Sequence, residues 1–410
     1  MERRSVVLRI FYGIVPALLA LSPALAAKLN DVGVTDTEIK IGNVAPYSGP
    51  GSAYSVIAKT QAAYFRMINA QGGIDGRRIN FISYDDAFSP PKTVEQVRKL
   101  VESDEVFAIF QLLGTAGNSA VAGYLNRKQV PHIFIGSGAS KWADPARYPW
   151  SMGIQPRLKD EAKLYASYIL KHFPGKTLGM LYQNDDFGKE YLAGFHEGFG
   201  NSYSKIVVAE VPYELTAPTV DSLVTRIKDA GPDIYFAATT AKFAAQSLRR
   251  VGELNWKPIK FVSYNTVSIS AILKPAGLQN AQGLITTAYL KDPGDPQWKN
   301  DPAMNDWRAF MAKWYPGGDQ RDADVIYGYA AAEALVKVLR LCGDNMTRAN
   351  LMKQMSHMDF DVSVFLPGIR VKTTATNRAP INELQIVKFE GEAWKAFGPV
   401  MQIDGNPDPN

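Results

Sequence analysis

Residues 39–86, IKIGNVAPYSGPGSAYSVIAKTQAAYFRMINAQGGIDGRRINFISYDD, decide the fold. Ile39–Val44 is an apolar run of strand length. Ala58, Ala62, Phe65 and Ile68 then recur on one helical face. Gly72-Gly73 stops that helix, because glycine accepts the left-handed backbone that closes a helix C-terminus. A turn at Asp75-Gly76 leads into a second apolar run, Ile79–Tyr84. Strand, helix and strand in this order open a βαβ unit. The turn Ser48–Tyr54 sets small hydroxyl residues and glycines against one aromatic side chain, Tyr54, a combination that points to small-molecule binding.

The same alternation continues outward. Ser89 caps a helix with Pro90 in its first turn. Val106–Phe110 and His132–Ile135 read as strands around a helix near 119–128. The pattern restarts after Gln155, with strands expected at 177–183, 204–210, 233–238 and 259–263 and helices at 160–173, 187–199, 219–230 and 242–252. Asn184-Asp185-Asp186 caps the second of these helices. Alternation of this kind implies a parallel sheet with helices on both faces. Two such runs imply an α/β protein of two doubly wound lobes. Residues 283–288 read as a strand leading back, and the long helices near 303–315 and 322–341 are expected on the first lobe. Lobe 1 is assigned 36–155 plus 286–360, and lobe 2 156–285 plus 361–403. The proline- and asparagine-rich stretch 404–410 is expected to be disordered.

Arg3 and Arg4, the apolar run 10–21 and Ala24-Leu25-Ala26 form a secretory signal peptide over residues 1–26. Its apolar core falls short of the roughly 20 residues that span a bilayer. The expected location is therefore the periplasm. Cys342 is the one cysteine, which excludes an internal disulfide and places stability in ordinary apolar cores. A net charge of +5 across 410 residues, with no basic stripe, argues against a nucleic-acid partner.

Ligands of open parallel sheets bind beyond the carboxyl ends of the strands. In the first half this rule nominates Ser48–Tyr54, Gln111–Asn118 and Gly136–Ser140. In the second it nominates Gln183–Gly188, Thr239–Ala241 and Tyr264–Val267. The first set is rich in small residues whose backbone N–H groups suit an anion at a helix start. The second offers Phe187, Tyr264 and Asn265. Any single loop of this composition also reads as an ordinary turn; three at strand ends in one half favour a site. Asp85-Asp86 and Asp185-Asp186 read as caps more readily than as metal ligands, and no cofactor or metal is expected. The four histidines are scattered. GSGAS is not a nucleophile elbow, and SGPGSAYS carries Tyr54 where a dinucleotide loop has its third glycine. No enzyme reading survives.

The strings IKIGNVAPYSGPGSAYS, NAQGGIDGRRI, SYDDAFSP, VPHIFIGSGAS, LYQNDDFGKEY and YGYAAAEALVKVL resemble the branched-chain amino acid-binding proteins, the type 1 periplasmic solute receptors of ABC importers. The resemblance implies a clamshell with three interlobe crossovers, a ligand in the cleft, a monomer and delivery to permease subunits in the inner membrane. It places Tyr54 on the cleft wall and the ligand carboxylate at Gly114, Thr115, Gly138 and Ser140. On the second lobe it places Phe187, Thr239, Tyr264 and Asn265. In the family an acid after the strand ending at Ser263 holds the ligand ammonium, and here the loop reads Tyr264-Asn265-Thr266. Phe88 and Leu113 stand where some members carry a cysteine pair.

A buried ammonium without a carboxylate partner keeps a desolvation cost of several kcal/mol. The expected cargo is therefore a small carboxylate with an uncharged body, an aromatic acid of the benzoate, hydroxybenzoate or cinnamate type. The alternatives are an amino acid or amide receptor that draws an acid from Asp185 or Asp186, and a clamshell sensor for a signalling partner.

Overall fold

The computed structural model describes Met1 and residues 28–403. Nearly all of the expected signal peptide (1–26) and all of the expected disordered tail (404–410) lie outside the described residues.

The first lobe is built on a five-stranded parallel sheet. In chain order its strands are β1 (Glu38–Ala45), β2 (Arg78–Asp85), β3 (Ala108–Phe110), β4 (His132–Ile135) and β5 (Ser151–Gly153), arranged β2-β1-β3-β4-β5. β1 pairs with β2 from Glu38↔Arg78 to Ala45↔Asp85, so both strands deliver their carboxyl ends to one edge. Ile39, Ile41 and Val44 are fully buried, as a strand covered on both faces requires. Helices α1 (Ser55–Ala70), α2 (Pro90–Glu102) and α3 (Thr115–Arg127) connect these strands. α3 begins four residues earlier than the sequence suggests, because Gly114 turns the chain at φ +93° and frees Thr115 to enter the helix.

The second lobe carries α4 (Leu158–His172), β6 (Leu178–Gln183), α5 (Asp186–Phe199), β7 (Val207–Tyr213), α6 (Asp221–Asp229), β8 (Ile234–Ala238), α7 (Ala241–Glu253), β9 (Ile259–Val262) and β10 (Ile285–Ala288). β7 starts three residues later than expected, since Tyr203–Ile206 forms a short helical turn. After β10 the chain returns to the first lobe. There α8 (Pro302–Trp314) and α9 (Ala323–Cys342) pack on α1, with the Tyr64 ring 5.9 Å from Phe310 and 4.9 Å from Tyr329. The hairpin β11 (Glu383–Glu390) and β12 (Ala393–Gln402) then completes the second sheet, whose order is β12-β11-β10-β9-β8-β6-β7.

Two expected lobe boundaries need correction. The step at 285/286 falls inside β10, which pairs with β9 and with β11 from Ile285↔Lys388 to Ala288↔Gln385 and thus belongs to the second sheet. The step at 360/361 divides a small ladder in which Asp359–Phe360 pairs with Val371–Lys372. This ladder stays beside the first lobe, where Ser363 donates its N–H to Glu333 of α9 at 3.1 Å. The crossovers therefore follow Gly153, Ala288 and Lys372.

Candidate ligand site between the lobes

The carboxyl ends of the two sheets face each other across a cavity of about 120 Å³. Tyr54, Phe88, Leu113, Gly114, Thr115 and Ser137 form its first-lobe wall, with Gly138 beside them. Phe187, Gln183, Thr240, Tyr264 and Asn265 form the second-lobe wall, and α9 adds Asp324, Ile326 and Tyr327. Most of this surface is apolar or aromatic, so the few polar atoms fix how a ligand lies.

The first polar group is the start of α3. Gly114 accepts a close approach that no side chain would permit, since a Cβ there would meet Phe88 Cε2 at 2.6 Å. The first N–H groups of a helix have no intrahelical acceptor, and here no side-chain cap supplies one beside the cavity. Thr115 Oγ1 lies 2.7 Å from Ser137 Oγ. Ser137 already accepts from Trp142 Nε1 at 3.1 Å and Ala139 N at 3.3 Å. Its proton therefore goes to Thr115, which leaves the Thr115 hydroxyl to donate into the cavity. Together these donors make a seat for a carboxylate.

A second free donor sits on α9. Tyr327 accepts from Gln111 Nε2 at 2.9 Å and Gln155 Nε2 at 3.1 Å, and its own O–H is not consumed by either bond. Tyr264 donates to Gln155 Oε1 at 2.8 Å, which ties the second lobe to the same relay. Gly138 allows this approach, because a Cβ on it would meet Tyr264 Oη at 2.8 Å and Pro156 O at 2.2 Å.

Tyr54 spans the cleft. Its hydroxyl accepts from Ala241 N at 2.9 Å and donates to Asn265 O at 3.1 Å. Burial, with Asp324 as a nearby negative charge, pushes this phenol far up, so it stays neutral. The lobes are thus closed on one another.

Of the residues expected from sequence, Tyr54, Gly114, Thr115, Gly138, Phe187, Tyr264 and Asn265 come together on the cavity wall. Ser140 does not. Its N–H and hydroxyl bond Glu190 of α5 at 3.1 and 2.6 Å, making it a link between lobes, and Ser137 takes the place beside Thr115. Thr239 lies behind the wall, where its carbonyl accepts from Asn265 Nδ2 at 3.1 Å, and Thr240 faces the cavity.

Neither acid of the Asn184-Asp185-Asp186 turn faces the cavity. Asp185 caps α5 through Phe187 N at 2.9 Å and accepts from Gln183 Nε2 at 2.6 Å. Asp186 pairs with Lys141 at 2.6 Å across the cleft mouth. Two acids do reach the wall: Asp292, whose carboxylate accepts from Gly294 N at 2.8 Å and Trp394 N at 2.5 Å, and Asp324, in the first turn of α9. Sequence reasoning missed Asp324 because Asp322-Ala-Asp324 reads as a helix cap. The available signal was that Asp322 alone fills the cap, which leaves a second acid in a helix otherwise buried nearly all round. Among the described residues no cluster of histidine, cysteine or acidic side chains has the makings of a metal site.

Two α/β lobes closed on a cavity between them define a clamshell ligand-binding protein. The chain belongs to the periplasmic binding protein family, which matches residues 38–393. Members of this family are solute-binding receptors and not enzymes. An amino acid binding protein of Pseudomonas aeruginosa is 23% identical over 80% of this chain and 84% of its own length. Leu/Ile/Val-binding protein homolog 3 of Brucella melitensis is 25% identical over 82% and 87%. Among solved structures, a branched chain amino acid ABC transporter protein from Thermus thermophilus with bound valine superposes at TM-score 0.79, with 14% identity over 90% of this chain and 97% of that one. A fatty acid ABC transporter substrate-binding protein from Thermomonospora curvata superposes at 0.77, with 19% identity over 93% and 97%. At these identities the structural likeness carries the fold alone.

Proposed function

We propose that this chain is exported, captures a small carboxylate with an apolar, ring-sized body between its lobes, and hands it to the permease subunits of an ABC importer. The observation that carries this reading is the uncapped start of α3 with the free Thr115 hydroxyl, set against an apolar wall. The cavity volume is close to the roughly 150 Å³ of an engineered cavity that takes up benzene. The rings of Tyr54, Phe88, Phe187 and Tyr264 support an aromatic body, as in the benzoate, hydroxybenzoate or cinnamate class. Binding shifts the population toward the closed form, because only there do both walls touch the ligand.

Among the described residues no helix is long and apolar enough to cross a membrane, which suits a receptor that meets its permease from outside the bilayer. The test is a thermal-shift panel of benzoates, cinnamates, aliphatic acids and amino acids. A ligand at about 100 times its Kd adds roughly 2.7 kcal/mol of stability. Thr115→Val should abolish most of the shift from any responding carboxylate while the unliganded melting temperature holds. A full shift in Thr115→Val would place the carboxylate elsewhere.

A further inference from the structure

Phe88 borders two cavities. It stands on the wall of the 120 Å³ cavity and also on that of a smaller one of about 10 Å³, whose far side is formed by Asp86, Thr93, Gly117 and Leu215. The smaller space is scarcely enough for one water molecule and takes no cargo. Leu113, Gly114, Thr115 and Gln183 also border both, and Phe88 is the one ring among these shared residues.

The ring is wedged between two glycines. A Cβ on Gly51 would meet Phe88 Cγ at 2.8 Å, and one on Gly114 would meet Cε2 at 2.6 Å and Cζ at 3.0 Å. The backbone that carries the ring is strained. Ala87 and Phe88 are both left-handed, at φ +52° and +58°, a region that favours glycine and that bulky residues rarely adopt. Two carboxylates hold them there: Asp85 Oδ1 accepts from Ala87 N at 2.9 Å, and Asp86 Oδ1 from Phe88 N at 2.8 Å. Asp85 also accepts from Ser48 N at 3.1 Å and Asp86 from Thr93 Oγ1 at 2.6 Å, which pins the turn to the loop after β1 and to α2. Strain held at two successive residues by this many bonds marks an aimed side chain.

We infer that Phe88 determines the size of the cargo: its ring partitions the cleft and confines the ligand to an acid with a single ring. The inference rests on the carboxylate seat proposed above. Thr115 borders both cavities, so an acid seated at the start of α3 keeps its body on one side of Phe88. The ring already lies close against the backbones of Gly51 and Gly114 and gives little toward either, so a fused or linked second ring finds no room. Removing the Phe88 ring joins the two cavities along the first turn of α3.

Titration calorimetry of the full mature protein tests this with benzoate, 4-hydroxybenzoate and cinnamate as single-ring acids, 2-naphthoate and biphenyl-4-carboxylate as two-ring acids, and benzamide as the uncharged control. Wild type should bind at least one single-ring acid ten-fold or more tighter than either two-ring acid. Phe88→Ala should bind a two-ring acid at least ten-fold tighter than wild type does, while its affinity for the single-ring acid falls. Phe88→Leu, which keeps an apolar wedge on the same turn, should lie between them, and it decides the question should Phe88→Ala not fold.

Two-ring acids that bind wild type as tightly as single-ring acids overturn the inference and leave the carboxylate reading standing. So does an equal loss for both classes in the variants, which would make Phe88 a prop for its turn alone. Benzamide that binds as tightly as benzoate, with the selectivity change in Phe88→Ala intact, overturns the carboxylate reading and leaves Phe88 in its role. Heat from none of the six compounds, in wild type or variant, overturns both.

Discussion

Tyr54 and Asn265, 211 positions apart in the chain, meet across the cleft, where the phenol donates to the Asn265 carbonyl at 3.1 Å while accepting the N–H of Ala241. One hydroxyl thus satisfies a buried donor and a buried acceptor of the other lobe. Both are free to bond water once the lobes part.

Replacing Tyr54 by phenylalanine should therefore act on closure. The closed form would hold an unpaired Ala241 N–H and an unpaired Asn265 carbonyl, at about 1–3 kcal/mol for a buried group without its partner. Ligand Kd should rise roughly five- to 150-fold while the unliganded protein melts close to wild type. Calorimetry and a melting curve check this, and an unchanged Kd would refute the role of the hydroxyl.

Ser140 and Lys141 make adjacent links of unequal worth. Ser140 gives two hydrogen bonds to the Glu190 carboxylate in a partly buried setting. Lys141 pairs with an Asp186 that is 55% exposed. Hydrogen bonds to charged groups contribute about 1.5–3 kcal/mol, whereas exposed ion pairs give about 0–1 kcal/mol and fade with salt. Ser140→Ala should weaken every ligand by roughly ten- to 150-fold without changing their ranking, and Lys141→Ala should have little effect above physiological salt. A changed ranking in Ser140→Ala, measured over the same ligand panel, would return Ser140 to the ligand itself.

Much of this arrangement was legible in the chain. Strand-length apolar runs, helix periodicity and Gly72-Gly73 are local signals, and they specify the two sheets and the loops at their ends. Tyr54, Thr115 and Phe187 fall on the cavity because strand ends put them there. Ser140 and Asp324 were not legible, because their places depend on which way one residue of a turn faces. Ser137 and Ser140 lie in the same small-residue loop, yet one faces the cavity and the other meets Glu190. The boundary at 285/286 failed for a related reason. β10 is the last strand before a crossover, and no glycine or proline separates it from its neighbours in a way that names its lobe.

Gly138 carries no side chain to the ligand, yet it sets the fit of the second lobe. A methyl group there would meet Pro156 O at 2.2 Å, a backbone atom that cannot swing aside, and Tyr264 Oη at 2.8 Å. Overpacking of this kind costs about 1–3 kcal/mol. Gly138→Ala should lower the melting temperature and also displace Tyr264 from Gln155, weakening ligand binding further. Tyrosine fluorescence is a poor probe among so many tyrosines, so the melting temperature and Kd are the measurements. A variant equal to wild type in both would show that the loop relaxes freely.

Glu161 supplies a pH dependence seated directly behind the cavity. Its carboxylate accepts from Tyr165 (2.6 Å), Tyr191 (2.5 Å), Thr287 (2.5 Å) and Tyr264 N (3.2 Å), with no cation among these partners. Burial pushes its carboxyl up to about 7, and the four hydrogen bonds counter only part of that rise. A folded-state value above the unfolded one means the native protein holds the proton more tightly. The contribution is therefore fully present below about pH 4.5 and is lost as pH rises through about 7. Its size is on the order of 3 kcal/mol. Glu161→Gln should flatten the fall in stability between those two pH values, measured by chemical denaturation at fixed salt. An identical slope in wild type and variant would mean that other groups govern stability over this range.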